Sequence, residues 1–304
     1  MATVRISIHL PYLLVLPPGE YPTPGVGGSV RLADGSVTNL DGTIEARTEA
    51  VAVFDAPDAD DAEAQERQRQ AEADRLLRRV NRLLRWYRVA TGQATIIELT
   101  RARASPFRFI VEGTGAAWGG DAPLEYEAAN LPEPEKRTRV SKKKKKKKKK
   151  KEKIGDTVRQ GLRDGTDPDV ATLNLLDAEY ALSVGRFREA VLLCWGAIDS
   201  TFVRKFKSLV DERLGNEWSE GRDFLKGIDF GLRHKMTSGL RLLAGRSLYT
   251  EPDNFWQELS ASYSLRNRII HDGQIAHEDE AKLAIKVARK VVEIVASLTD
   301  SPQR

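Results

Sequence analysis

Apolar and polar positions divide this chain into two stretches of different period. Val4-Arg5-Ile6-Ser7-Ile8-His9-Leu10 alternates with the period of two expected of a half-buried strand. Leu13, Leu14, Val15 and Leu16 extend it as an apolar run closed by Pro17-Pro18, so a strand-like stretch is read over 4–16. Further stretches of this kind lie at 29–32, 43–47, 51–54, 94–99 and 107–112. Between them the spacing predicts a long helix over 61–91, ended by Gly92. Its apolar stripe is Leu76, Val80, Leu83, Leu84 and Tyr87, with Trp86 alongside. Strands with one long helix make this an α+β domain, assigned to residues 1–131.

Downstream the period changes to that of helices alone. The first helix is placed at 168–184, capped by Asp167 or Thr166 and broken by Gly185. The next runs over 186–214. Its centre, Ala190-Val191-Leu192-Leu193-Cys194-Trp195-Gly196-Ala197-Ile198, is apolar all round, the mark of a buried central helix. A glycine-interrupted helix over 224–243, one ending at His271 and one over 278–298 complete the set. Five helices with short joints predict an all-α antiparallel bundle over residues 167–304.

Charge changes the picture at the junction. The 304 residues carry a formal net charge of +5, yet ten of the 49 Lys and Arg form an unbroken run at 142–151, leaving 39 against 44 Asp and Glu. The remainder of the chain is acidic. Such a block repels itself; it attracts RNA or DNA non-specifically or serves as a solvated linker. Residues 132–166, rich in charge, Pro and Gly, are read as a charged linker carrying this poly-Lys tract. A single cysteine, Cys194, excludes an internal disulfide framework and fits a reducing, cytoplasmic compartment. No stretch is long enough to span a membrane; at the start of the chain His9 and Pro11 interrupt the one apolar run that resembles a signal peptide.

The chemistry concentrates in Ser264-Leu265-Arg266-Asn267-Arg268-Ile269-Ile270-His271-Asp272-Gly273. On a helix at about 100° per residue, Phe255, Leu259, Tyr263 and Ile270 form an apolar arc bordered by Trp256 and Ile269, with Arg266 in its middle. Asn267 and His271, four apart, are neighbours at its edge. Gly273 offers a C-terminal stop, where the helix dipole favours a protonated His271. In the buried helix Asp199 shares a sector with Trp195, Leu192, Phe202 and Val203, and a carboxylate there requires a partner. Arg266 is the expected one, and breaking such a buried pair costs about 3–5 kcal/mol. Other features read as structural. Arg75, Arg78, Arg79, Arg82, Arg85 and Arg88 line the long helix, as solubilising charge or, if clustered, as a phosphate-facing surface. Gly25-Val26-Gly27-Gly28 lacks the spacing and following helix of a phosphate loop and is read as a flexible connection. His9 is a core or edge residue, Cys194 is core packing, and His277-Glu278-Asp279-Glu280 opens a helix without requiring a metal.

Arg266-Asn267-Arg268-Ile269-Ile270-His271 is an R-x4-H arrangement, and Gly185-Arg186-Phe187-Arg188-Glu189-Ala190-Val191 through Asp199 precedes it on a buried helix. In these residues the region 167–299 resembles the HEPN superfamily of helical domains, closest to the modules of bacterial defence and abortive-infection proteins. The resemblance implies a metal-independent endoribonuclease, with no cofactor and no metal, in phage defence or a toxin-type system. It implies a homodimer that brings two such motifs to one cleft. There the RNA 2′-OH attacks the adjacent phosphorus and leaves a 2′,3′-cyclic phosphate. His271 moves protons, Arg266 stabilises the phosphoryl oxygens, Asn267 binds phosphate or orients His271, and Asp199 supports Arg266. Restraint of a toxic ribonuclease calls for a regulatory protein or antitoxin, or for a ligand sensed by the first domain or the lysine tract. The alternative that the resemblance also implies is a non-catalytic nucleotide-binding or protein-assembly module.

Overall fold

A computed structural model of the protein describes residues 2–24, 28–38, 44–56, 62–104, 106–118, 144–214, 218–227 and 231–298. The chain divides into two units, residues 1–168 and 169–304.

The first unit is built on a sheet of β1 (Ala2–His9), β2 (Gly19–Pro22), β3 (Ser29–Thr38), β4 (Ile44–Ala56) and β5 (Arg108–Val111). Its order is β2-β3-β4-β1-β5, and every neighbouring pair is antiparallel. Ile6 lies opposite Ala52 and Ile8 opposite Ala50, so large and small buried side chains share one face. Helix α1 (Ala62–Thr91) contributes Ala73, Leu76, Val80, Leu83, Leu84 and Tyr87 to the same core.

Three expectations for this unit are corrected. The stretches at 43–47 and 51–54 are parts of one strand, β4: residues 44–56 contain neither Gly nor Pro, so nothing turns the chain between them. The strand at 4–16 ends at His9. Beyond it the backbone bonds to side chains: Leu14 N donates to Thr48 Oγ1 (2.9 Å) and Val15 N to Tyr87 Oη (3.1 Å). Residues 94–99 form no strand, for a similar reason. Asn81 Oδ1 accepts from Leu99 N (2.7 Å) and Asn81 Nδ2 donates to Leu99 O (2.8 Å), while Tyr12 Oη bonds both Ile97 N and Ile97 O at 3.2 Å. Two side chains supply what a sheet ladder would.

The linker reading is also corrected where the structure describes it. Residues 132–143 lie outside the described residues, but Lys144–Arg163 is a helix, α2, belonging to the first unit. Ile154, Val158 and Leu162, four apart, are buried in its core. The approach is close at Gly161, where an added Cβ would lie 2.3 Å from the Trp86 ring. Trp86 Nε1 donates to Thr166 O at 3.2 Å, closing the end of this packing.

The second unit is helical. It comprises α3 (Val170–Ser183), α4 (Phe187–Ile198), α5 (Arg204–Arg213), α6 (Ser219–Lys226), α7 (Leu232–His234), α8 (Leu240–Ala244), α9 (Phe255–Asp272) and α10 (Glu278–Ser297). Asp169 caps α3 by accepting from Thr172 N (3.0 Å), in place of the Asp167 or Thr166 expected. The helix expected over 186–214 is α4 and α5 joined by a π-type turn, Asp199–Val203. That expected over 224–243 is broken into α6, α7 and α8, with a second π-type turn at Lys235–Gly239. Helix α4 lies centrally, packed on α3, α9 and α10, and buries Val191, Cys194, Trp195 and Ile198. His277 and Glu280 form a reciprocal capping box at the start of α10, with His277 N donating to Glu280 Oε2 at 2.8 Å.

Candidate functional site

Helix α9 carries Arg266, Asn267 and His271, and its phase decides where they point. The side buried in the core is Phe255, Leu259, Ser262, Leu265 and Ile269. The expected arc is therefore rotated: Ile269 is fully buried, whereas Ile270 is 46% exposed. A polar residue sets this phase. Trp195 Nε1 donates to Ser262 O (3.2 Å) and Oγ (3.1 Å), which draws Ser262 inward and satisfies the buried indole. Tyr263 packs edge-on against the Trp195 ring at 5.2 Å.

With that rotation Arg266 sits at the border of the buried side, half-buried, rather than in its middle. Its Nη1 donates to Asn267 Oδ1 at 2.9 Å, its one side-chain hydrogen bond among the described residues. Four of its five N–H donors stay uncommitted. His271 is exposed in the last turn, and among the described residues its side chain makes no hydrogen bond or ion pair. The structure thus joins Arg266 to Asn267 and leaves His271 facing solvent near them on α9. Gly273, at φ 68°, ends the helix, and Gln274 N donates to Arg268 O at 3.3 Å.

The expected Asp199–Arg266 ion pair is corrected. Among the described residues Asp199 makes no side-chain hydrogen bond or ion pair, and Arg266 bonds Asn267 instead. Burial raises the Asp199 carboxyl above its ordinary range, and the Arg266 charge offsets only part of that. Asp199 is an electrostatic neighbour of Arg266, not its counter-ion.

Sequence reasoning missed Arg188. From the first turn of α4 its Nη2 donates to Ile269 O at 3.3 Å, adding a cation to the C-terminal end of α9. Nothing in the sequence marks it as a partner of α9, because the contact spans two helices. Exposed Ile275 (75%) and Ile270 flank His271 and give the helix end an apolar rim.

Other polar groups in the unit serve packing. Burial pushes the Cys194 thiol up to about 12, so it is an inert core group. Lys235 is buried, its ammonium is disfavoured by that burial, and its Nζ donates to Gly227 O at 2.7 Å, at the end of α6. A cavity of about 630 Å³ is lined by Glu179, Phe255, Glu258, Ile285, Lys286 and Arg289 among others. It lies at the N-terminal end of α9, about 20 Å along the axis from His271.

In the first unit most arginines of α1 are held by carboxylates or buried rather than gathered on one phosphate-facing surface. Arg69 pairs with Glu66 (3.2 Å), Arg75 with Glu72, Arg85 with Glu98 (2.6 Å), and Arg82 lies 3.8 Å from Asp167. Arg88 is 2% exposed. They tie the helix to its surroundings. Gly25, Val26 and Gly27 lie outside the described residues. No described helix is long and apolar enough to cross a membrane. Comparison with models of known families, with curated proteins and with solved structures finds no match.

Proposed function

We propose that the protein is a metal-independent endoribonuclease whose site is Arg266, Asn267 and His271, completed by a second copy of the helical unit. One observation carries the reading. A solvent-facing imidazole stands one helical turn from Asn267, which holds a guanidinium with most of its donors uncommitted.

The chemistry follows from those groups. The ribose 2′-oxygen attacks phosphorus as His271 removes its proton, forming the O2′–P bond. The P–O5′ bond breaks and the 5′-oxygen takes a proton from the same residue of a second copy. The products are a 2′,3′-cyclic phosphate and a 5′-hydroxyl. Arg266 stabilises the charge that develops on the phosphoryl oxygens. The requirement for a 2′-OH restricts the substrate to RNA. Ile270 and Ile275 supply apolar area for the second copy. A phage-defence or toxin role, with a regulatory protein or antitoxin as restraint, belongs to the same reading.

The test is RNA incubated with the purified protein in EDTA. Wild type is expected to give cyclic-phosphate and 5′-hydroxyl ends, with cleavage reduced at least about 100-fold by His271→Ala, the low end for an acid–base group. Arg266→Ala is expected to lose about 100-fold or more, as for removal of one oxyanion donor. Equal cleavage by folded variants and wild type rejects the site. Absence of cleavage with retained RNA binding supports the non-catalytic binding module instead, a reading favoured by the Arg266–Asn267 bond if it persists with ligand.

A further inference from the structure

The sheet unit holds a guanidinium that no group among the described residues satisfies. Arg79 is half-buried on α1, and its Nε is enclosed with no hydrogen-bond partner. Among the described residues its side chain makes no hydrogen bond or ion pair. Its neighbours on the helix differ: Arg69, Arg75 and Arg85 each pair with a carboxylate, and Arg69 also stacks 5.2 Å from the Phe109 ring. Glu72, the acid nearest in effect, is itself buried and bonded to Arg75. Arg75 and Arg78 add further positive charge, and Arg78 is exposed.

The other wall is backbone. Gly28, at φ 90°, closes the β2–β3 connection, with Thr23 N and Thr23 Oγ1 both donating to its carbonyl (2.8 and 3.1 Å). A Cβ built on Gly28 would lie 3.1 Å from Arg79 Nη2, so the absence of a side chain there is what lets the guanidinium lie against the chain. A half-buried guanidinium without an acceptor is costly, because burial removes part of its water without supplying a counter-charge. The cost is removed by an external oxyanion that accepts from the planar fork.

We propose that Arg79, against Gly28 and beside Arg78, binds the phosphoryl group of a small phosphomonoester. The dianion matches the positive charge that Arg79 shares with its electrostatic neighbours Arg75 and Arg78, and the absence of a side chain at Gly28 leaves room for the guanidinium against the chain. This site is independent of the ribonuclease reading, which concerns the other unit.

The experiment uses the full-length protein at fixed ionic strength, titrated with inorganic phosphate and followed by thermal melting and calorimetry. Wild type is expected to show a saturable rise in Tm. Arg79→Met removes fork and charge and is expected to abolish the rise, while its melting temperature without phosphate equals or exceeds that of wild type. Arg79→Lys keeps the charge and is expected to bind about tenfold more weakly, the equivalent of losing one charge-assisted hydrogen bond. A nucleoside 5′-monophosphate is expected to bind like phosphate, and an RNA oligonucleotide without terminal phosphates is not. No saturable response in wild type, or an equal response in Arg79→Met, overturns the proposal. A preference for the oligonucleotide also overturns it and identifies a phosphodiester surface. Should Arg79→Met melt well below wild type, Arg79 is structural and the proposal falls.

Discussion

At the scale of single residues, the candidate site turns on whether Asp199 and Arg266 stabilise each other. Since Asp199 has no ion-pair partner among the described residues and burial raises its carboxyl, the charged form is a burden on the folded state. Asp199→Asn is therefore expected to leave stability at pH 7 unchanged or raised, as read by urea unfolding. The sign follows from linkage. A folded-state value above the ordinary 3.8 means that the folded form holds the proton more tightly, so stability present below that pH is lost as pH rises through the interval above it. The Asn variant is expected to flatten that pH dependence. A loss of about 3–5 kcal/mol would instead mark a buried pair. The sequence located Arg266, Asn267 and His271 on one helix but misplaced its phase. Tyr263 and Ile270 are apolar letters, while the inward position belongs to Ser262, through an indole 67 residues earlier. No periodicity within α9 contains that partner.

At the scale of elements, periodic apolar spacing located the long helix, the first strand and the helical half. It failed where backbone groups bond to distant side chains, as at 94–99 with Asn81 and Tyr12. It failed again at α2, because ten lysines overwhelm the signal of three apolar residues, Ile154, Val158 and Leu162. The contact at Gly161 makes α2 testable. Gly161→Ala places a methyl 2.3 Å from the Trp86 ring, and overpacking of this kind is expected to cost about 1–3 kcal/mol in urea unfolding. An unchanged midpoint would show that α2 does not press on Trp86.

At the scale of the molecule, each unit buries its own apolar set. One core draws on residues between 4 and 162, the other on residues between 178 and 298. Because the described core of residues 169–304 is drawn from that unit itself, these residues expressed alone are expected to unfold in one cooperative transition. Cys194, with its thiol held up near 12 and fully buried, provides a second readout. It is expected to resist thiol reagents until the fragment unfolds. Broad melting with immediate labelling would show that the helical core needs the first half of the chain. Charge, by contrast, is a property that the whole sequence misreports: the net sign comes from one tract at 142–151 and says nothing about the helical unit.

The π-type turn at Asp199–Val203 has a consequence for inheritance. It makes α4 and α5 one rod whose two halves are kept in step by a single extra amino acid. Loops absorb insertions and deletions, but here the loss of one codon would turn everything downstream by about 100° around the axis. Phe206, Leu209 and Val210, now buried, would swing off the core. The stretch is thus open to substitution but closed to changes of length, and drift in this lineage is expected to rewrite its letters while conserving their number.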